Sequence, residues 1–452
     1  MKIVIVGGGT VGSAICSQLS EEGHDITLID TELSNITELT NVCDVFGVVG
    51  SGADVSVLKK AGAGKSDLVI AITSSDEVNL LSCAAARKLG AKHTIARVRN
   101  PAYSELMILM KNDMNLSMTI NPELAAAEAI YRMLHYPSAA KVETFYRGRV
   151  DLVEFPLPAG SPFCNKSLFE LRSTLKCKFL VCGVLRDDKM TIPSGDFVLQ
   201  AGDIIGVTAP DGELNRLFKA IGVFKQPIHD LLIVGGGRVT YYLESLLYRG
   251  RIESTVIEAD KALCYDLIEA FDCTVVHDDG TKQEVLLEAG IENADAFLSM
   301  MDRDEQNTIL SLYASSVGVK KVITLIKEQS YVDFYKGMGL ESIISPKSIT
   351  AANILRYVRA MSQDSTSEIE SLHKIMDGKA EALEFVIKSS IEGITGVPLK
   401  ELRPKAGILI ACIIHNNKII IPSGDDAIQV GDTVLVVTAS DDAIDSMKDI
   451  LP

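Results

Sequence analysis

No stretch of about 18 consecutive apolar residues occurs in this chain, so no segment of it is expected to cross a membrane as a helix. The longest apolar runs, such as GILIACII from Gly407, have the length of a strand. No two cysteines form a CxxC pair; the nine are scattered, which suits small buried residues in a reducing compartment rather than a redox or metal role. None of the seven histidines is spaced from a cysteine or carboxylate as a ligand set would be, so no metal is expected. Basic residues are in deficit, 44 against 60 acidic, for a net charge of −16. That excess argues against nucleic acid as the main partner and against docking on anionic lipid, while leaving room for a local basic site that holds one nucleotide. Met1 is followed directly by an apolar strand pattern, which leaves no room for a secretion signal.

What is present is a duplication. KIVIVGGGTVG starts at Lys2 and LLIVGGGRVT at Leu231, and a shift of 228 carries Gly7 to Gly235, Gly9 to Gly237 and Asp30 to Glu258. The same shift carries Gly52 to Gly280, Asp67 to Asp295, and Asp76, Glu77 and Asn79 to Asp304, Glu305 and Asn307. Further on, IPSGD at Ile192 returns at Ile421, a shift of 229, each time followed by a Gly-Asp pair (Gly202–Asp203, Gly431–Asp432). A length change near residues 104–116 lowers the shift to 224, so that Pro122 matches Pro346 and Arg132 matches Arg356; such a change marks a loop or helix end. One two-part module is thus written twice, which gives four domains in 452 residues.

The fold class follows from the periodicities. Residues 2–6, ITLID, VFGVV, LVIAI and HTIARV read as buried strands separated by helical patterns, so each large unit is α/β with a doubly wound parallel sheet. ELAAAEAIYRMLHY after Pro122 reads as a further helix that either packs subunits together or caps the sheet. From about Gly148 short strands with Gly, Pro and Asp turns and one short helix, SLFELR, form a small α+β domain; the second copy repeats it. SQDSTSEIES, between Met361 and Lys379, reads as a linker. The expected domains are 1–122 and 228–347 for nucleotide binding, with 123–227 and 348–452 as crossover helix plus small domain.

Gly7, Gly9 and Gly12 complete GxGxxG between a strand and a helix: one for the tight turn, one for close approach of a pyrophosphate, one for helix–strand packing. The loop Gly7, Gly8, Gly9, Thr10, Val11 and the helix N-terminus offer N–H groups to phosphate. Asp30 ends the second strand, where a carboxylate accepts from ribose hydroxyls and repels a 2′-phosphate, which favours NAD(H) or an adenine nucleotide over NADP(H). Thr73 and Ser74 follow strand four at the ligand edge of the sheet, whereas Ser75, Asp76 and Glu77 read as a helix start. Arg97 and Arg99 fall on one side of the fifth strand near the phosphate end, as phosphate ligands or surface ion pairs. In the second copy Gly235, Gly236, Gly237, Arg238 and Val239 frame the loop and Glu258 stands for Asp30, but Thr240 replaces the third glycine. Its Cβ is expected to push helix and strand apart or reshape the pocket, leaving three readings: weak binding, a different nucleotide, or a structural relic. Leu325 and Lys327 replace the two arginines. Where an enzyme would follow its nucleotide domain with a catalytic domain carrying a base or nucleophile, a short strand-rich domain follows here, so no catalytic residue is assigned.

With GGGTVG at Gly7, LID ending at Asp30, GSGA at Gly50, ITSSDEVN at Ile72, IARVRNP at Ile95, GGGRVT at Gly235, HDDGT at His277 and the paired IPSGD turns, the whole chain resembles the TrkA family. That family comprises regulatory subunits of bacterial potassium uptake, built of duplicated RCK (KTN) units. The resemblance implies a non-enzymatic cytoplasmic protein, peripheral on the inner face of the membrane, assembled as a homo-oligomeric ring (dimer or tetramer) beneath a TrkH- or TrkG-like potassium-translocating subunit. It implies that NAD(H), ATP or ADP shift the ring's shape and gate the pore. Gly7 to Val11, Asp30, Thr73, Ser74 and Arg97 would hold the first nucleotide, and Gly235 to Val239 with Glu258 would frame the second. The rival readings are a soluble NAD-dependent oxidoreductase and a stand-alone nucleotide sensor.

Overall fold

Strand β1 (Lys2–Val6) lies buried between parallel neighbours, and its apolar run has no polar alternation because both faces are covered by helices. The computed structural model describes residues 1–452 except 104–115, 147–148, 176, 211, 224–226, 249–251, 329–330, 341, 363–368, 377, 440–443 and 445. After β1 come α1 (Thr10–Glu21), β2 (Asp25–Asp30), α2 (Leu33–Val42), β3 (Val45–Val49), α3 (Val55–Lys60), β4 (Leu68–Ala71), α4 (Asp76–Leu89), β5 (His93–Arg97) and a short β6 (Met118–Ile120). The sheet order is β3-β2-β1-β4-β5-β6, all parallel. The winding reverses between β1 and β4, so their carboxyl ends border the crevice where such sheets hold ligands.

Helix α5 (Pro122–His135) leaves this sheet and leads to β7 (Lys141–Phe145), β8 (Val150–Pro156), α6 (Leu168–Thr174), β9 (Leu180–Arg186), β10 (Lys189–Thr191), β11 (Ile204–Thr208) and α7 (Glu213–Ile221). Those strands pair antiparallel in the order β10-β9-β11-β8-β7. The small domain therefore begins at Lys141, before the change of period at Gly148, and ends on a helix absent from the periodicity reading.

The second copy runs β12 (Asp230–Val234), α8 (Arg238–Leu247), β13 (Glu253–Glu258), α9 (Lys261–Ala270), β14 (Thr274–His277), α10 (Gln283–Glu288), β15 (Ala296–Ser299), α11 (Asp304–Ser316), β16 (Lys321–Leu325), α12 (Val332–Gly337) and β17 (Ile343–Ile344), in the parallel order β14-β13-β12-β15-β16-β17. Helix α13 (Pro346–Ser362) crosses to β18 (Ile369–Ile375), β19 (Ala380–Val386), β20 (Ile408–His415), β21 (Lys418–Ile420) and β22 (Thr433–Thr438), ordered β18-β19-β22-β20-β21. The length change at 104–116 and most of the linker reading fall on 104–115 and 363–368, outside the described residues; the end of the linker stretch, from Ile369, is strand.

The crossover helices decide the arrangement. Ala126, Ala127, Ile130 and Leu134 of α5 share one core with Leu231, Val239, Leu243 and Leu247 of the second nucleotide domain. Ile354, Leu355 and Val358 of α13 share another with Ile15, Leu19 and Ile5 of the first. Each crossover helix thus covers the fingerprint helix of the other half, which is neither simple capping of its own sheet nor, within this chain, a contact between subunits. The Arg359 guanidinium donates to Glu22 Oε1 at 2.6 Å and pins α13 to the end of α1. Lys321, buried at the start of β16, donates to the Ala139 carbonyl at 2.6 Å. The small domains exchange contacts in the same manner. Glu154 accepts from the Met376 N–H at 2.9 Å, Glu384 accepts from the Tyr146 N–H, and Tyr146 and Met376 both sit at positive φ in hairpin turns. The two halves are related by an approximate two-fold, and apolar residues of both small domains (Phe145, Leu152, Ile375, Ala382) merge into one core.

Candidate functional site

The first glycine loop is shaped by sterics. Gly7 has φ +107°, and a Cβ there would lie 3.0 Å from the Thr73 nitrogen, so the loop abuts the turn after β4. A Cβ on Gly12 would fall 1.9 Å from the Gly7 carbonyl oxygen, so only glycine allows α1 to start this close to β1. Around the Cβ position of Gly9 there is open space, which leaves the helix N-terminus accessible to a phosphate. The Asp30 carboxylate accepts from the Gly8 N–H at 2.6 Å and the Glu32 N–H at 2.8 Å. It stands beside the loop, as a ribose-binding carboxylate must, and also fixes the loop's position.

The opposite wall is stapled by a residue that the sequence reading matched but gave no role. Asn79 is fully buried; its Oδ1 accepts from Thr73 N–H at 2.8 Å and Thr73 Oγ1 at 2.7 Å, and its Nδ2 donates to the carbonyls of Thr73 at 3.2 Å and Arg97 at 3.0 Å. It therefore holds the ends of β4 and β5 together. Asn307 repeats the arrangement with Ser299, Met301 and Leu325. Repetition of Asn at matched positions was the available signal. Thr73 has its hydroxyl committed to Asn79, so its backbone is what borders the loop; Ser74 is exposed, and its hydroxyl has no partner among the described residues.

Asp76 does more than begin a helix. Ser75 is the cap, accepting from Val78 N–H at 3.2 Å, whereas Asp76 is buried and accepts from the N–H groups of Arg99 and Asn100, each at 2.8 Å. Glu77 accepts from Ser75 Oγ at 2.6 Å and Tyr103 OH at 2.5 Å, and these two bonds hold its carboxyl down at about 2. The two arginines have different fates. Arg99 donates to the Ser74 carbonyl and lies 3.5 Å from Asp76. Arg97 has no hydrogen-bond partner among the described residues, and its Nε is buried. Burial, then the charge of Arg99, pushes the Arg97 guanidinium below its usual range, against the pull of Glu123 and Asp76, and Arg238 of the second half adds to the repulsion. A half-buried guanidinium without a hydrogen-bond partner has the geometry to hold an anion through paired N–H bonds.

The second loop is built alike, with Gly235 at φ +105°, open space beyond Gly237, and Glu258 accepting from the N–H groups of Gly236 at 2.5 Å and Asp260 at 2.6 Å. Val239 is buried behind Arg238 at the start of α8. Thr240 is fully buried and donates its hydroxyl to the Gly235 carbonyl at 2.5 Å. The carbonyl that would collide with a Cβ in the first copy here becomes a hydrogen-bond acceptor, so the expected disruption is answered by a bond. The phosphate end differs more. Leu325 replaces Arg97, Met301 and Asp302 replace Thr73 and Ser74, and Lys327 is drawn into an ion pair with Asp302 at 2.6 Å. The two sites are also joined. Tyr242 of α8 donates to the Arg99 carbonyl at 2.7 Å and accepts from Asn121 Nδ2 at 2.8 Å, so the second fingerprint helix touches the wall of the first site.

No helix among the described residues is long and apolar enough to cross a membrane. The TrkA-N domain matches residues 3–118 and again 231–346, and the TrkA-C domain matches 152–222 and 383–451. Among curated proteins, the chain is 30% identical over 452 residues to a Trk system potassium uptake protein TrkA homolog of Archaeoglobus fulgidus, covering 100% of both. It is 30% identical over 442 residues to Trk system potassium uptake protein TrkA of Halomonas elongata, covering 96% of this chain and 95% of that one. Among solved structures, the GsuK channel bound to NAD superposes with a TM-score of 0.64 at 19% identity, over 97% of this chain and 77% of that one. The GsuK RCK domain gives 0.62 at 20%, over 97% and 92%. At these identities the likeness concerns the fold, which is the same succession of Rossmann-like and small antiparallel domains. With both domain types matched twice and full-length relatives at this level, the chain belongs to the TrkA family of Trk potassium uptake proteins.

Proposed function

We propose that this protein is a nucleotide-responsive regulatory subunit of a potassium uptake system, acting without catalysis on a separate membrane-embedded transport subunit. The observation that carries the reading is Arg97, a half-buried guanidinium with no hydrogen-bond partner among the described residues, on the strand end that Asn79 ties to the Thr73 wall of the glycine loop, close to where Tyr242 of the second half bonds the Arg99 carbonyl. An adenine nucleotide, NAD(H) or ATP/ADP, would place its phosphates against the N–H groups of Gly8 to Val11 and against Arg97, and its ribose against Asp30. Thr73 would contribute its backbone and Ser74 its hydroxyl. The ligand supplies negative charge beside a guanidinium that has no hydrogen-bond partner among the described residues. Because Arg99 and Asn121 meet Tyr242, a shift of the β5 wall on binding is felt by α8 and by the two-fold packing of crossover helices. A ligand that favours one packing shifts the population by its difference in affinity for the two. A ring of such chains beneath the transport subunit would convert that shift into opening or closing.

The first site is the nucleotide site under this reading. The second, framed by Gly235 to Val239 and Glu258, lacks an arginine at the position of Arg97 and carries exposed Asp302 at the phosphate end, so it takes a less highly charged ligand or binds more weakly. Calorimetric titration with NADH, NAD, ATP, ADP and NADPH tests both statements. One tight site per chain that excludes NADPH and is weakened by Asp30→Ala is the expected result. Absence of binding by any of the five would overturn the assignment.

A further inference from the structure

The internal repeat allows each site of one small domain to be compared with its twin, and one pair differs in kind. In the first small domain Arg186 places its guanidinium in a cleft against the fully buried Asp203, with Nε 2.6 Å from Oδ1 and Nη2 2.7 Å from Oδ2. The same Nη2 donates to the Val198 carbonyl at 2.9 Å, and the guanidinium stacks 5.1 Å over the Phe197 ring. A shift of 229 carries Arg186, Phe197, Val198 and Asp203 to His415, Asp426, Ala427 and Asp432. The acceptor is kept: Asp432 is 1% exposed and still accepts from the Gln429 N–H at 2.8 Å, as Asp203 does from Gln200. The chain's own guanidinium is gone. In its place is a cleft of about 160 Å³ lined by Ile413, His415, Ile420, Asp426, Ala427, Gln429 and Asp432.

The charge balance changes with it. Arg186 neutralises Asp203, whereas in the second small domain His415 Nδ1 lies 2.6 Å from Asp432 Oδ1 and Asn416 Nδ2 lies 3.0 Å from His415 Nε2. Asp426 and Asp432 both line the cleft, where the twin has Phe197 and Asp203. The Ser423 N–H and hydroxyl, each 2.7 Å from Asp426 Oδ2, hold the Asp426 carboxyl below its usual range, and Lys178 of the first small domain adds to this. The Asp203 Oδ2 of the twin accepts from both a backbone N–H and the guanidinium; Asp432 Oδ2 keeps, among the described residues, the backbone bond alone. Among the described residues no three His, Cys, Asp or Glu side chains converge as metal ligands, and Ile413, Ile420 and Ala427 add an apolar wall.

We propose that this cleft in the second small domain binds a small organic cation, an alkylguanidinium or primary alkylammonium, whose charged head takes the place that Arg186 fills in the twin. The head would donate to Asp432 Oδ2, with Asp426 as counter-charge, and its alkyl arm would lie along the isoleucines. The site is separate from both glycine loops and does not depend on their occupancy.

The experiment is a titration of the full chain with n-butylguanidinium chloride, followed by saturation-transfer NMR and calorimetry, with potassium chloride and magnesium chloride as competitors. The expected result is one site per chain, insensitive to equimolar potassium or magnesium. His415→Arg, which restores the twin's arginine, and Asp426→Phe, which restores its aromatic, should each weaken binding at least tenfold, and Arg186→Ala should add a second site. Absence of binding by the native chain would overturn the proposal, as would binding unchanged in both His415→Arg and Asp426→Phe. Displacement by equimolar potassium or magnesium would overturn the organic class of ligand.

Discussion

Replacing Asn79 by leucine is the sharpest test of how the first site is held. The two side chains are similar in size, so little cavity or strain is introduced into the buried position. What is lost is a set of four hydrogen bonds, at 2.8, 2.7, 3.2 and 3.0 Å, two from Thr73 to Oδ1 and two from Nδ2 to the carbonyls of Thr73 and Arg97. At a net worth of roughly 0.5–1.5 kcal/mol each, the loss is about 4 kcal/mol. At about 2–4 °C per kcal/mol, the melting transition of the first nucleotide domain falls by roughly 8–16 °C. Nucleotide affinity falls with it, because the β4 and β5 ends that carry Ser74 and Arg97 come apart. Asn307→Leu is the internal control: it removes the matching bonds to Ser299, Met301 and Leu325 and should lower stability while leaving first-site affinity close to native. Calorimetric melting and nucleotide titration on the two variants read both quantities. An Asn79→Leu protein that melts within about 2 °C of native and binds nucleotide normally would refute the staple.

Arg97→Gln removes a guanidinium that has no hydrogen-bond partner among the described residues, so melting without nucleotide should be unchanged or higher, while affinity falls by about 10- to 150-fold, the worth of charged hydrogen bonds; a fall in both would mean that Arg97 is structural. Thr240→Val deletes the 2.5 Å bond to the Gly235 carbonyl and should cost about 1 kcal/mol in denaturant unfolding. Gly12→Ala sets a Cβ against the equivalent carbonyl at 1.9 Å and should cost about 1–3 kcal/mol and weaken first-site binding; a neutral Gly12→Ala would contradict the packing of α1 on β1. Glu77 is held below its ordinary value of 4.5, so its bonds to Ser75 and Tyr103 are fully present above that pH and are lost as the pH falls toward about 2. A carboxyl carbon resonance of Glu77 that titrates near 4.5 would contradict those bonds.

Much of this was legible before any coordinates. The glycine loops, the acids at Asp30 and Glu258 and the alternation of strands and helices carry local signals, because turn geometry and burial on both faces dictate residue type directly. The exchange of crossover helices was not legible. The apolar face of α5 says that Ala127, Ile130 and Leu134 will be buried, but not that Val239 and Leu243 bury them. The first strand of the small domain, KVETF, gives no clear strand pattern because Lys141, Glu143 and Thr144 dilute its apolar alternation at a sheet edge. Arg97 and Arg99 look equivalent as letters two apart; only the position of Asp76 separates a paired arginine from an unpaired one. Asp302 carries no motif signal of its own in the sequence, yet its exposed carboxylate pairs with Lys327 and sets the charge at the phosphate end of the second loop.

The exchange of crossover helices has a consequence for how such a chain can change over generations. A polypeptide with one copy of the module would leave its fingerprint helix uncovered until a second molecule supplied α5, so its ancestor is most simply an obligate pair of identical chains. Joining the copies end to end frees each half from serving as its own mirror image. Arg97 can become Leu325 and Arg186 can become His415 without the same substitution appearing on the other side of the axis. A fused pair can therefore divide labour within one molecule, with one half kept for reading a nucleotide and its twin released to answer something else.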